Sequence, residues 1–335
     1  MKILVTGGAG YVGGTVAGVL LERGHEAVIL DNFSHSRREA LPAGVPFVEG
    51  GLADNGLIER IFRDAKTAGA PFDGVIHFAA FIEAGESMQK PEKYFRNNTA
   101  ATLSLLEAML AGDVKRLVFS STAAVYGEPE VVPIPEDARL KPTNAYGESK
   151  LLVEQMLGWF HRVHGLRSAS LRYFNVAGAP ESAAGVVRGE EHEPESHLIP
   201  LILDVALGRR ASIRIYGEDY PTPDGSCIRD YIHVSDLADA HLLALAALEK
   251  PAEERLVYNL GNGQGFSVKQ VVESARRVTG HAIPAEVHPR RAGDPAVLVA
   301  SSEKAIRELG WKPRYTELDE ILRTAWEWHQ RRYGK

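Results

Sequence analysis

The chain has 335 residues, 44% hydrophobic and 24% charged, enough for one large or two modest domains with a sizeable core. Its formal net charge is −6 and it carries no basic run, which excludes the charge footprint of a nucleic-acid or anionic-membrane binder. The one cysteine, Cys227, excludes an internal disulfide, and no CxxC or Cys/His metal spacing is present, so no metal is expected.

The sequence "MKILVTGG" enters a strand at once, with no signal-peptide pattern, and no apolar run reaches the ~18 residues of a membrane span. A cytoplasmic protein is expected. Short β-rich runs at 2–7, 26–31, 46–50, 73–79, 115–121 and 167–175 alternate with helical patterns at about 11–23, 54–69, 92–111 and 145–164. Val/Ile/Leu/Phe-dense strands joined by helical crossovers predict an α/β, doubly wound parallel sheet covered on both faces. After residue 175 the rhythm changes. Segment 176–227 is rich in Gly, Pro, Glu and Arg with few periodic elements, followed by a strand at 257–261 and helices at 267–279, 302–309 and 317–332. These predict a smaller α+β domain over 176–335, interleaved with the first domain (1–175), to which part of 228–260 returns.

The first strand ends in "TGGAGYVGG", which places Gly7, Gly10 and Gly13 before an amphipathic helix. Glycines there permit a tight turn and close approach of the backbone to a pyrophosphate, and the helix start offers unpaired amides to the anion. Tyr11 and Val12, inside the loop, are counted with this Rossmann-type nucleotide site. The second strand ends in "ILDN", with Asp31 18 residues past Gly13, near the spacing for a ribose-binding carboxylate, and Asn32 beside it. A carboxylate there repels a 2′-phosphate, so NAD is expected rather than NADP.

The fifth strand ends in "FSSTAAVYG", which brings Ser120 and Thr122 to the edge where this architecture places chemistry. At the next helix start, "AYGESK" sets Tyr146 and Lys150 four apart, about 40° around a helix and roughly 6 Å along it. A phenol with a pKa near ~10 is a poor base at neutral pH unless a nearby positive charge favours the phenolate. Tyr146 as base, Lys150 as its tuner and Thr122 as a positioning hydroxyl suit hydride transfer at a secondary alcohol.

With these motifs the chain resembles the extended short-chain dehydrogenase/reductase superfamily. Within it, "LVTGGAGYVG", "VIHFAA", "LRYFNVAGA", "YGEDYPTPDGSCIRDYIHVSDLADAH", "YNLGNGQGFSV" and "RRAGDPA" are similar to the UDP-glucose 4-epimerase family, in order over nearly the whole length. The resemblance implies that Tyr146 takes the proton of the sugar 4-OH while NAD, retained throughout, holds the C4 hydride and returns it to the other face. It implies further that Phe78, Ala79 and Ala80 line the cofactor, with Ser120 also counted there. Asn98 and Lys150 would bond its ribose region, and Phe174 would lie by the nicotinamide. For a UDP-sugar, it assigns Asn175, Arg229 and Arg291 to the diphosphate, Asp294 to the uridine ribose and Tyr216 to the uracil. His197-Leu198 stands where some members have Asn-Leu, with His197 a candidate phosphate donor. Leu298 stands at a pocket wall, where its size would admit slow N-acetyl sugar conversion, or it is a buried strand leucine. A homodimer through the helices at 92–111 and 145–164 is also implied.

Two positions depart from the family. Gly51 replaces an adenine-binding aspartate, which would loosen NAD, and Ile82 replaces a lysine, which removes a cofactor donor. Ala123 and Ala124 after Thr122 offer no acid–base carboxylate, which argues against a dehydratase. A UDP-pentose or UDP-N-acetylglucosamine epimerase, and a non-catalytic nucleotide-binding regulator, remain as alternatives.

Overall fold

In a computed structural model, the described residues are 1–181, 188–192, 194–250, 255–291 and 294–334. The first half runs β1 (Lys2–Thr6), α1 (Tyr11–Glu22), β2 (Glu26–Asp31), β3 (Phe47–Glu49), α2 (Asn55–Thr67), β4 (Gly74–His77), α3 (Ala84–Ser87), α4 (Pro91–Tyr94), α5 (Ala101–Ala111), β5 (Arg116–Thr122), α6 (Ala145–His164) and β6 (Arg167–Tyr173). The second half adds β7 (Asn175–Ala177), α7 (Leu198–Ala206), β8 (Ile213–Tyr216), β9 (Ile228–Arg229), β10 (Tyr231–His233), α8 (Val234–Ala247), β11 (Leu256–Leu260), β12 (Phe266–Ser267), α9 (Val268–Thr279), β13 (Ala285–His288), β14 (Val297–Leu298), α10 (Glu303–Leu309) and α11 (Leu318–Tyr333).

Seven strands form one parallel sheet in the order β11-β6-β5-β4-β1-β2-β3. Strand alternation splits β1 between two cores. Ile3 and Val5 pack with Leu20 of α1 and Leu237 and Leu245 of α8, whereas Leu4 packs with Ile58, Leu105 and Leu157 of α2, α5 and α6. Both faces of the strand are thus dry, which is why it reads as a continuous apolar run. The strand order reverses between β1 and β4, and the crevice beyond the carboxyl ends at that switch is where a ligand fits.

From the second half, α8 covers one face of this sheet and β11 pairs with β6. The remaining strands form small sheets, β10-β7, β12-β9-β14 and β13-β8. Beside them α7, α9 and α11 share a separate core that includes Ile202, Val271, Ile321 and Trp326.

Two elements differ from expectation. The single helix expected over 92–111 is interrupted by a widened turn over Phe95–Ala100, where the Asn97-Asn98-Thr99 run favours local side-chain bonds over a regular helix. Helix α7 lies inside a segment that showed little period. Its sequence, LIPLILDVA, is apolar nearly all round because it is buried in the second core, so no polar stripe marks it.

Among the described residues four histidines are buried: His77, His233, His241 and His329. His77 is held between the hydroxyls of Thr6 (2.7 Å) and Thr102 (2.8 Å). Burial, helped by Lys150, pushes His77 down to about 3, and burial pushes His241 down to about 4. With folded pKa values below the unfolded value near ~6.5, only the unfolded chain takes these protons as pH falls. Stability is therefore unaffected above that value and declines below it. Each such histidine is expected to cost about 2 kcal/mol between pH 6.5 and 5. Denaturant titrations at several pH values check this, and His77→Asn should flatten the slope; an unchanged slope would mean that His77 titrates normally.

Candidate active site

One cleft of about 560 Å³ runs from the glycine loop, past the ends of β4 and β5, to the small sheets. At its first end, β1 turns sharply at Gly7, whose φ of 71° is left-handed and costs glycine nothing. A Cβ there would lie 2.6 Å from the Ala79 nitrogen, and one at Gly13 would run into the Gly7 carbonyl. No side chain caps α1 at Gly10, and Tyr11, Val12 and Gly13 of the first turn line the cleft. The positive helix end is thus offered to an anion. Tyr11 donates its hydroxyl to the Gly178 carbonyl (2.5 Å), fastening the turn to the second unit.

Asp31, at the end of β2, is buried, with one oxygen accepting from the Ala9 amide (2.9 Å) and the other from the Phe33 amide (2.8 Å) and Ser36 hydroxyl (3.0 Å). Asn32 and Gly51 line the cleft beside it, and Ile82 borders it further along with Phe78, Ala79 and Ala80. Nearby, Arg188 donates to the carbonyls of Ala9 and Ala40.

At the middle of the cleft, Ser120 and Thr122 end β5, while Tyr146 opens α6. Asn144 caps that helix by accepting from the Gly147 amide (2.8 Å), and the Tyr146 amide donates to Ser87 Oγ (3.1 Å). The phenol is half-buried in the cleft wall. Burial pushes it up to about 12, eased by a hydrogen bond with Thr122 and reinforced by the Glu83 carboxylate. Lys150 is oriented differently from the simple expectation. Its Nζ donates to the Ser120 carbonyl (2.8 Å), and burial lowers the ammonium to about 7. Lys150 therefore fixes the strand end beside Thr122 and sits at the edge of neutrality, not in a simple ion pair with the phenol.

The far end of the cleft gathers Asn175, His197, Leu198, Tyr216, Arg229, Arg291 and Asp294, with Phe174 between the two halves. Arg229 pairs with Asp294. Its neighbour Asp230 is occupied instead by the amides of Asn262 (2.6 Å), Gly263 (3.0 Å) and Ala300 (3.0 Å). The Arg291 guanidinium lies 4.0 Å over the Tyr216 ring.

Three expected site residues do not line the cleft: Asn98, Lys150 and Leu298. Asn98 is buried, and its amide group is spent on both the N–H (2.9 Å) and C=O (3.0 Å) of Phe81 and on Ser149 (3.1 Å), so it shapes the wall from behind. Leu298 lies opposite Arg229 in the β14–β9 pair and packs against a cluster containing Phe174, Ala123 and Ala300. It is thus the strand leucine, not the wall. Sequence reasoning also missed Glu83, Tyr173, Glu190 and His192, which border the cleft. Tyr173 bonds Ser120 Oγ. The motif search sought glycine, tyrosine–lysine and Cys/His patterns, and these residues belong to none of them.

The sequence profile described as "NAD dependent epimerase/dehydratase family" matches residues 3–261. The chain belongs to this family. A UDP-glucose 4-epimerase of Streptomyces lividans is 56% identical over 328 residues, covering 98% of this chain and 96% of that protein. A crystal structure of a UDP-glucose 4-epimerase superposes with a TM-score of 0.93 at 49% identity, covering 99% of this chain and 98% of the other. That of the Bifidobacterium longum enzyme in complex with NAD+ and UDP gives 0.91 at 38% identity, covering 100% of both chains.

NAD, the cofactor of the epimerase/dehydratase family, fits what the cleft offers: a glycine turn that a Cβ would block, a bare helix start, and Asp31 at the ribose end. Gly51 lines the cleft without a side chain, and the only group a Cβ there would touch is Asn32 Nδ2, at 3.7 Å. Asn32 is thus the nearest polar replacement for the missing aspartate.

Tyr146→Phe should lower kcat by at least the ~10²-fold typical of losing a general base, with fold and bound NAD intact. Lys150→Met removes the nearest buried cation, so the acid limb of the pH–rate profile should move to higher pH. Steady-state kinetics across pH 5–10 check both; near-normal turnover of Tyr146→Phe would remove the phenol from the chemistry.

Proposed function

We propose that the chain interconverts UDP-galactose and UDP-glucose by reversible oxidation at sugar C4, with NAD retained between turnovers. The observation that carries this reading is a single cleft: it joins a dinucleotide loop, a phenol beside a hydroxyl, and an arginine-rich end of a size and charge for a nucleoside diphosphate. The activity shared by the relatives supports the same reading.

When bound, NAD supplies the acceptor and donor of the C4 hydride and a positive ring beside the phenol. The chain's residues do the rest. Thr122 and Tyr146 line the cleft together, and both reach for the sugar O4. The Tyr146 oxygen takes the O4 proton as the carbonyl forms and gives it back on return. Lys150 anchors the Ser120 carbonyl and, when charged, favours the phenolate. Arg229 and Arg291 present fixed donors to the diphosphate without losing charge. Asp294, held by Arg229, is aimed at the uridine ribose, and Tyr216, stacked under Arg291, at the uracil. Asn175 and the His197-Leu198 start of α7 close the diphosphate end. The sheet domain thus holds the cofactor, and the smaller unit holds the sugar nucleotide.

N-acetyl sugar conversion is not part of the proposal, because Leu298 does not line the cleft. A homodimer is. Leu106 and Met109 are spent on the sheet core, but Leu103 of α5 and Trp159 and Val163 of α6 remain exposed and suit a symmetric helix–helix contact. We place the enzyme in the cytoplasm, in keeping with a lone buried cysteine; among the described residues, no helix is long and apolar enough to cross a membrane.

Purified protein incubated with UDP-galactose and no added NAD should form UDP-glucose with no net rise in absorbance at the wavelength of reduced nicotinamide. Stoichiometric cofactor reduction would indicate a dehydrogenase, and no turnover with tight nucleotide binding would indicate a regulator.

A further inference from the structure

Between Arg188 and the start of α7, the chain presents Glu190, His192, Glu195 and His197, four side chains whose ligand atoms all lie within 4.8 Å of one another. Two of them, Glu190 and Glu195, are nearly buried carboxylates, 8% and 13% exposed. They stand where the cleft is otherwise arranged for anions, since Glu190, His192 and His197 line it and Tyr11 of the glycine loop feels both carboxylates. Among the described residues no arginine or lysine is bonded to either carboxylate, and two buried negative charges are costly unless a positive charge is brought in. Protonated imidazoles are one remedy; a divalent cation between the four groups is the other.

Three of the four separations suit the cation. Zinc bound by imidazole and carboxylate at about 2.0–2.1 Å in a tetrahedron sets its ligand atoms roughly 3.3 Å apart. His192 Nδ1 is 3.6 Å from a Glu190 oxygen and 3.5 Å from a Glu195 oxygen, and His197 Nδ1 is 3.7 Å from Glu195; the fourth contact, His197 Nδ1 to Glu190, is a 2.6 Å hydrogen bond that the metal would replace. His192 Nδ1 is buried without a hydrogen bond to satisfy it, an orphan that a metal would occupy. Glu195 is fixed beforehand. Its carboxylate accepts from the amides of His192 (3.2 Å), Ser196 (2.8 Å) and His197 (2.9 Å), an orienting arrangement of the kind that supports metal ligands.

We propose that Glu190, His192, Glu195 and His197 form a structural zinc site that fastens the 188–197 segment as a wall of the cleft. Two carboxylates and two neutral imidazoles around Zn²⁺ sum to zero charge, so the wall no longer repels a diphosphate. The site also sets His197, the residue before α7, in place against the sugar-nucleotide end. The absence of Cys/His spacing did not speak to it, because its ligands are an E-x-H-x-x-E-x-H run.

The test needs no sugar substrate. Purified NAD-containing protein, stripped with chelator and dialysed against Zn²⁺ and then metal-free buffer, should hold one Zn²⁺ per chain by elemental analysis. Co²⁺ added to the stripped protein should give the intense visible bands of a tetrahedral site. Glu190→Gln and His192→Ala should each lower Zn²⁺ affinity by more than the ~10–100-fold that outer-shell changes cost, and abolish the Co²⁺ bands. Zn²⁺ should raise the Tm of wild type and not of the variants. Wild type holding less than about a tenth of an equivalent of Zn²⁺, or a folded variant retaining full stoichiometry, overturns the site. The Co²⁺ spectrum of wild type decides the matter even if a variant fails to fold.

Discussion

The catalytic geometry depends on one buried ion pair. Helix α6 carries Tyr146, Lys150 and Glu154 at four-residue intervals, so all three share one face. Tyr146 reaches the cleft and Lys150 reaches the end of β5. Glu154, fully buried, accepts from Arg172 of β6 at 2.6 Å and from Ser121 of β5, also at 2.6 Å. Arg172 continues to the Tyr126 hydroxyl (2.9 Å) and the Glu136 carbonyl (3.0 Å), and Tyr126 to Asn259 of β11 (2.7 Å). Removing one partner of such a pair strands a buried charge, at about 3–5 kcal/mol. The pair therefore acts more as a register lock than as a source of stability: it sets how far α6 slides along the sheet, and so where the phenol sits relative to Thr122.

The second constraint is charge. A cleft that receives two pyrophosphates must present positive ends without burying unpaired cations. The protein meets this with the bare start of α1 at one end and with Arg229 and Arg291 at the other, the first balanced by Asp294 and the second resting on Tyr216. Between them, burial alone would keep the phenol protonated. A base there works only in a complete site, which ties proton transfer to the presence of both ligands.

Much of this was legible in the sequence, for physical reasons. The glycine turn has few structural alternatives, and a tyrosine and lysine four apart at a helix start must share a face. The parallel sheet followed from apolar runs that were too continuous for one-sided burial. What spacing could not reveal was direction. Asn98 and Lys150 lie beside the site but turn to backbone groups of Phe81 and Ser120, a choice of partner that no spacing in the sequence encodes. Leu298 was one residue in a strand-like run, and only the pairing of β14 with β9 showed which way it packs. The Glu154–Arg172 lock joins residues 18 apart on different elements, and no local pattern announces such a pair.

The central claim is that the hydrogen taken from C4 returns to the same C4 within one closed cleft. UDP-galactose deuterated at C4 tests it directly, with the product read by mass spectrometry and NMR. The account predicts UDP-glucose with the deuterium retained at C4, and no exchange of label with unlabelled sugar present in the same tube. Loss of deuterium to solvent, or scrambling between sugar molecules, would contradict it.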